Sequence, residues 1–393
     1  MSTYIKHDVI RAAIALALLG PLGLLVFGCG AQPEDGGAAV SPAPTVSESE
    51  FGTMPDGEKI ARFTLTNGSG VEVKIITYGG IITSIRTPDR NGELGNIVLG
   101  FDELQPYLDG TPYFGALIGR YGNRIAKGSF TIDGVAHQLD TNDGANHLHG
   151  GLVGFDKKVW SAEPFAGASS AGVKLSLVSG DGDQGYPGTL DVTATYSLTN
   201  DNELITELHA TTDKPTIVNL TQHSYFNLAG EGTILDHELM IGASHFTPVD
   251  ATLIPTGELA PVEGTPFDFR AAKPIGADIG GDHEQLAHGQ GYDHNFVLDR
   301  ETASDLELAA RVAEPISGRV LEVFTEEPGI QFYSGNFLDG SLRSGDRVFA
   351  FRSGLCLEPQ HYPDSPNQPG FPPTILRPGQ VYSTRMAFRF STQ

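Results

Sequence analysis

The sequence predicts an all-β protein, one large antiparallel β-sandwich over residues 51–393, and three observations predict it. Apolar and polar residues alternate with a period of two in segment after segment. The chain carries 49 Gly and 25 Pro among 393 residues, a supply of turn formers that suits many short strands better than long helices. Beyond residue 28 no long 3.6-residue apolar repeat is found.

The elements follow in chain order. Lys6 and Arg11 precede an apolar stretch at residues 12–27, interrupted by Pro21, and the stretch is short for a membrane span, which needs ~20 apolar residues. It reads as an export leader over residues 1–28. It ends in Val26-Phe27-Gly28-Cys29, which resembles a bacterial lipoprotein processing box, with Phe27 bulkier than the small residue usual there. Cleavage before Cys29 would leave its thiol to carry the lipid. The expectation is an exported chain anchored to a membrane at the periplasmic face or outer membrane; Gly30, rather than Asp, after the cysteine favours the outer one. Residues 29–50 are mainly Ala, Gly, Pro, Ser and Glu, too poor in large apolar groups to offset the entropy of ordering, and read as a flexible tether.

From Phe51 the β signal is continuous. Val71, Val73 and Ile75 alternate with polar neighbours. Phe130 to Ile132 and Val135 to Leu139 flank Asp133-Gly134, a two-residue hairpin signature. Leu190, Val192, Ala194, Tyr196 and Leu198 alternate, turn at Asn200-Asp201-Asn202, and resume at Leu204. Tyr382, Thr384, Met386, Phe388 and Phe390 form a last alternating strand. A short helical turn is expected at Phe101-Asp102-Glu103-Leu104. Length alone would allow two or three domains, yet no repeat or composition break divides the region, which gives one domain.

Composition also excludes partners. The formal charge is −23, against the clustered cations that nucleic-acid phosphates or anionic lipid demand. A neutral small ligand is expected, with membrane contact only through the lipid anchor. Cys29 and Cys356 are the only cysteines, so lipidation of the first leaves the second without an intrachain partner and rules out a Cys-based zinc site.

Several polar residues stand out. His223 lies beside Ser224 and Tyr225 after a strand-like run at residues 216–220. Glu358 is framed by Leu355 and Leu357, as in a buried strand where a carboxylate needs a reason. An ion pair and a catalytic role both satisfy that reason. Cys356, two residues earlier, shares the face of Glu358 and reads as packing. His147 and His149 would point the same way from a strand, a spacing that also suits a metal. Gly150-Gly151 would let the backbone approach a ligand closely. Arg124 could be no more than a surface ion pair, and Arg120 is the more structural of the two arginines. Tyr225, Phe226, Phe332 and Tyr333 read mainly as core, with one of them able to line a pocket.

Six segments in order carry a resemblance: GRYGNRIAKG (119–128), NHLHGG (146–151), TQHSYFNL (221–228), GYDHNF (291–296), PGIQFY (328–333) and GLCLEPQH (354–361). Together they resemble the aldose 1-epimerase (galactose mutarotase) family and span the whole β region. The resemblance implies that family's β-supersandwich fold and its reaction, exchange of α and β anomers of a free aldohexose such as galactose or glucose, with no metal or cofactor. It implies His223 as general acid and Glu358 as general base. Asn123, Arg124, His149, Asp293 and Gln331 are implied as sugar-binding residues. Anomer exchange needs a base at the C1 hydroxyl and an acid at the ring oxygen. A carboxylate and an imidazole with ordinary pKa values near ~4.3 and ~6.5 would serve at neutral pH. Two departures appear: Gln222 replaces an Asn common in the family, and Pro359 a Thr. Two other readings are a hexose-6-phosphate 1-epimerase, for which a basic cluster is missing, and a non-catalytic sugar-binding lipoprotein, which needs no acid–base pair. A monomer or weak dimer is expected.

Overall fold

The computed structural model describes residues 42–302 and 305–393; the leader and the lipidation residue Cys29 lie outside the described residues. Three large sheets carry the architecture. The widest has nine strands, with Ser161–Ala166, Ser170–Ser179, Leu190–Thr199 and Glu203–Thr212 joined to the C-terminal strand Tyr382–Thr392. It continues through Arg319–Thr325, Glu307–Ala313, Glu238–Ile241 and Lys273–Pro274. A five-stranded sheet runs in sequence order from Thr45–Thr53 to Leu94–Asn96. The third, six-stranded, contains Tyr225–Phe226, Leu355–Gln360, Gly329–Tyr333 and Asp293–Leu298 as consecutive neighbours. Pairing in these ladders is antiparallel.

Alternation dictates which face is buried. Leu190, Val192, Ala194, Tyr196 and Leu198 enter one core with Phe63, Leu65, Val73 and Ile75 of the five-stranded sheet and Phe296, Ile330, Phe332 and Leu357 of the third. This is the sandwich arrangement expected from the period of two. Asp133 and Gly134 both take positive φ (51° and 81°), so Ser129–Ile132 and Val135–Gln138 close on a tight primed turn.

Two local expectations need correction. The first strand starts at Thr45, inside the segment read as tether, and pairs antiparallel with Lys59–Thr66, with a register shift between Glu50 and Gly52. Main-chain hydrogen bonds at a sheet edge need no large side chains, so the composition of residues 45–50 concealed it. The helical turn lies later than expected, at Gln105–Asp109, where Pro106 fits the first turn and Leu104 serves as N-cap.

An ion pair fastens the end of the Leu355–Gln360 strand. His361 Nδ1 lies 2.5 Å from Oε2 of Glu327, whose side chain is only 1 % exposed. Burial pushes Glu327 up, but the attraction of His361 together with hydrogen bonds from His361, Thr384 and Tyr382 holds it below its ordinary 4.5, and His361 is raised above 6.5 by Glu327 despite its own burial. The carboxylate's contribution to stability is therefore present above pH 4.5 and lost as pH falls through its folded value. The imidazole's is present below pH 6.5 and lost as pH rises through its folded value. His361→Leu strands the buried carboxylate. It is expected to cost stability toward the lower end of about 3–5 kcal/mol, because the histidine is partly exposed. Urea unfolding between pH 4.5 and 6.5 checks this, and the gap should shrink outside that window. A gap that is the same at every pH contradicts it.

Candidate active site

The site grows from one face of the six-stranded sheet. Across it, Tyr225 pairs with Cys356, Cys356 with Tyr333, and Tyr333 with Asp293. The next row is Glu358, Gln331 and Asn295. Opposed residues share a face, so these rows look one way while Phe226, Leu355, Leu357, Phe332 and Phe296 look into the core. Alternation in Leu355-Cys356-Leu357-Glu358 thus assigns the carboxylate to the pocket side.

Short pairings elsewhere supply the opposing wall. Thr221–His223 pairs with Ala116–Ile118, which sets His223 beside the loop carrying Tyr113. His147–Leu148 pairs with Arg124–Ile125 and brings His149 next to Asn123. The resulting cavity is small, with a volume of about 110 Å³, and it opens to solvent. Of the residues expected to act, Asn123, Arg124, His149, His223, Asp293 and Glu358 line it. Gln331 does not. It is buried one step behind, and its Nε2 donates to Asp293 Oδ1 at 2.7 Å, so its role is to orient that carboxylate.

The acid–base pair is compact. His223 Nε2 lies 3.5 Å from Glu358 Oε2, and both side chains are almost wholly buried. Glu358 Oε2 has no hydrogen-bond partner among the described residues, a costly condition for a buried oxygen and one that a donor from a ligand relieves. The His223 ring stacks with both Tyr225 (centroids 5.1 Å apart, 21°) and Tyr113 (5.7 Å, 30°).

Burial inverts the ordinary order of proton affinities. Glu358 is pushed well above the carboxylate range by desolvation and then by Asp293, with Arg124 opposing. His223 is lowered to about 4 by desolvation. In the empty pocket burial therefore favours Glu358 over His223 as the holder of a shared proton, contrary to the distribution expected from free side chains.

His149 adopts φ 50°, and its Nδ1 accepts from the Asn123 N–H at 3.2 Å. That bond puts the ring proton on Nε2 and makes His149 a donor toward the pocket. His149, His223 and Glu358 otherwise have metal-compatible spacing, their ligating atoms all within 4.8 Å of one another. A metal would need a lone pair on His149 Nε2, which this tautomer does not offer, so the donor set does not fit a resident cation. Arg124 is buried: Nε lies 2.8 Å from Asp143 and Nη1 3.8 Å from Asp293. Desolvation raises Asp293 above its ordinary value.

Three readings of motif residues are corrected. His147 does not share His149's direction, because the strand ends at Leu148; its two nitrogens meet the Asp140 carbonyl and the Tyr186 hydroxyl. Gly150 is packed against protein, a Cβ there falling 1.8 Å from the Gly119 carbonyl oxygen, so its close approach serves the fold. Tyr225 and Tyr333 line the cavity, and sequence reasoning missed Tyr113 and Phe337 entirely. Tyr113 sits in a loop at φ 64°, outside any periodic element, and no local signal marks it. Arg120 is structural as read, donating to the Ser179 hydroxyl and to backbone carbonyls at 179, 180, 187 and 188. Gln222 ties the Gly115 carbonyl to Ser224 and so secures the His223 loop.

Known proteins share much of this sequence and this fold. The profile of the family described as aldose 1-epimerase matches residues 61–389. Galactose mutarotase from Sus scrofa is 49% identical over 351 residues, covering 88% of this chain and 99% of its own. Aldose 1-epimerase from Escherichia coli (strain K12) is 41% identical over 339 residues, covering 86% and 96%. The crystal structure of galactose 1-epimerase from Lactobacillus acidophilus superimposes with a TM-score of 0.78 at 30% identity, covering 88% of this chain and 99% of that one.

Proposed function

The chain belongs to the aldose 1-epimerase family, whose reaction interconverts the α and β anomers of an aldose, and from that premise we propose that it acts on free aldohexoses such as galactose and glucose through His223 and Glu358. The observation that carries the residue assignment is the 3.5 Å separation of His223 Nε2 and Glu358 Oε2 at the wall of a cavity that Asn123, Arg124, His149 and Asp293 also line. The ring oxygen and the C1 hydroxyl oxygen are bonded to one carbon. An acid serving the first and a base serving the second must therefore be near neighbours.

With the shared proton moved from Glu358 to His223 Nε2 on binding, the Glu358 carboxylate takes the proton of the C1 hydroxyl as His223 gives its Nε2 proton to the ring oxygen. The C1–ring-oxygen bond breaks, and C1 becomes an aldehyde. Rotation about C1–C2 turns the opposite face to the ring-closing hydroxyl, and the two transfers run backward. After ring opening Glu358 is protonated and His223 neutral, the distribution that burial already favours. The site thus stabilises the open-chain state relative to the same groups in water. His149 Nε2–H, the Arg124 guanidinium and the Asp293 carboxylate supply donors and an acceptor for sugar hydroxyls, and Tyr225 and Tyr333 supply apolar surface.

A phosphorylated hexose fits poorly. Among the described residues Arg124 is the only Lys or Arg lining the cavity, and two aspartates already engage it. Polarimetry on freshly dissolved α-D-galactose, α-D-glucose and their 6-phosphates tests the assignment. Faster mutarotation of the free sugars is expected, and a preference for the phosphates contradicts it. Export and anchoring through Cys29 are part of the proposal, supported by Lys6, Arg11 and the apolar stretch before the cysteine. Labelled palmitate should enter the full chain and not its Cys29→Ala variant; equal labelling of both ends the anchoring proposal.

A further inference from the structure

A histidine that acts as acid through Nε2 must keep a proton on Nδ1 throughout the cycle, because the neutral ring left after donation is the Nδ1–H tautomer. The partner of that Nδ1–H decides both the ring's orientation and how strongly it holds its second proton. Among the described residues the side chain that meets His223 Nδ1 is Cys356, with Sγ at 3.6 Å. The cysteine is fully buried and stands one row from Glu358 on the pocket face. The other groups facing His223 are Glu358 at Nε2, the His149 ring edge-on at 5.1 Å, and the stacked Tyr113 and Tyr225 rings. Stacking fixes the plane of the imidazole but leaves open the half-turn about Cβ–Cγ that would exchange Nδ1 with Cδ2 and Nε2 with Cε1. A contact at Nδ1 removes that freedom.

We propose that Cys356 is a positioning residue for the acid: its sulfur accepts the Nδ1–H of His223, so that the releasable proton is at Nε2, facing Glu358 and the pocket. The inference rests on the reading of His223 as the acid. Sulfur is a weak acceptor. It orients the ring without the strong stabilisation of the imidazolium that a carboxylate in this place would bring, and so leaves His223 a willing donor. Burial, with Glu358 and Asp293 nearby, pushes the thiol well above its ordinary value. Cys356 accordingly stays a neutral thiol and forms no covalent bond in the cycle.

Two readouts test the proposal on the full chain. Nitrogen-15 NMR of labelled histidine, with His223 assigned from the His223→Gln variant, reports the tautomer directly. Wild-type protein should show neutral His223 as Nδ1–H, and Cys356→Ala should show a mixture. An Nε2–H ring in the wild type, or unmixed Nδ1–H in the alanine variant, overturns the proposal without touching the assignment of His223 as acid. In kinetics, Cys356→Ala should lower kcat at least about tenfold with KM unchanged, a part of the ~10²–10⁴-fold a placed acid supplies. Cys356→Ser puts a better acceptor at Nδ1. It should recover part of that loss and move the acidic limb of the kcat/KM profile upward. Should the alanine variant fail to fold, the serine variant carries the test, and an acidic limb identical to the wild type's contradicts the proposal.

Discussion

Replacing Glu358 by Gln is expected to lower kcat for anomer exchange by about 10²–10⁴-fold, equivalent to roughly 3–5 kcal/mol of transition-state stabilisation. The substitution keeps the size of the side chain and removes only its capacity to take a proton. Stability should not fall with activity. Burial already favours the uncharged form of the wild-type carboxyl in the empty pocket, so a neutral amide carries no greater desolvation cost. Glu358 Oε2 has no partner among the described residues, so no hydrogen bond through it is forfeited. KM should change little, since Asp293, Arg124 and His149 still meet the sugar. Polarimetry alongside a thermal melt separates the outcomes. Wild-type turnover in a folded Glu358→Gln protein refutes the base assignment, and loss of both activity and folding points to a structural role.

His223→Gln is expected to produce a loss of the same order, because ring opening requires both transfers. The losses should not add: with the base or the acid missing, the concerted exchange is already gone, and the double variant should resemble the slower single one. A multiplicative loss would show that the two groups act in separate steps. The pH profile gives a second check on the same residue. Below about pH 4 the His223–Glu358 pair takes up a second proton, on the imidazole, and no ionised Glu358 remains to act as base. The acidic limb of kcat/KM should fall there, below the value of an ordinary histidine. An acidic limb near 6.5 would mean that His223 is not desolvated as the cavity indicates.

The alternation in the sequence carried the sandwich because a period of two fixes which side chains enter the core, as Leu190 to Leu198 and Leu355 to Leu357 show. It could not reveal which strands meet. His223 reaches the pocket because Thr221–His223 pairs with Ala116–Ile118 about a hundred residues earlier in the chain, and no local pattern encodes that partnership. The motifs brought His149, His223, Asp293 and Glu358 to notice, and these do line one cavity. Tyr113 and Phe337 escaped because loop aromatics have no periodic neighbours to betray their direction. The strand Thr45–Thr53 escaped for the opposite reason: it is held by main-chain bonds and its side chains are mostly exposed. Ordinary pKa values also misled, since near-complete burial reverses the proton affinities of His223 and Glu358.

The most direct test is the structure of the protein with galactose bound to the inactive Glu358→Gln variant. The C1 hydroxyl should lie within hydrogen-bond distance of the amide introduced at position 358, and the ring oxygen within the same reach of His223 Nε2. A sugar bound with its C1 end away from both groups, or seated outside this cavity, would contradict the account.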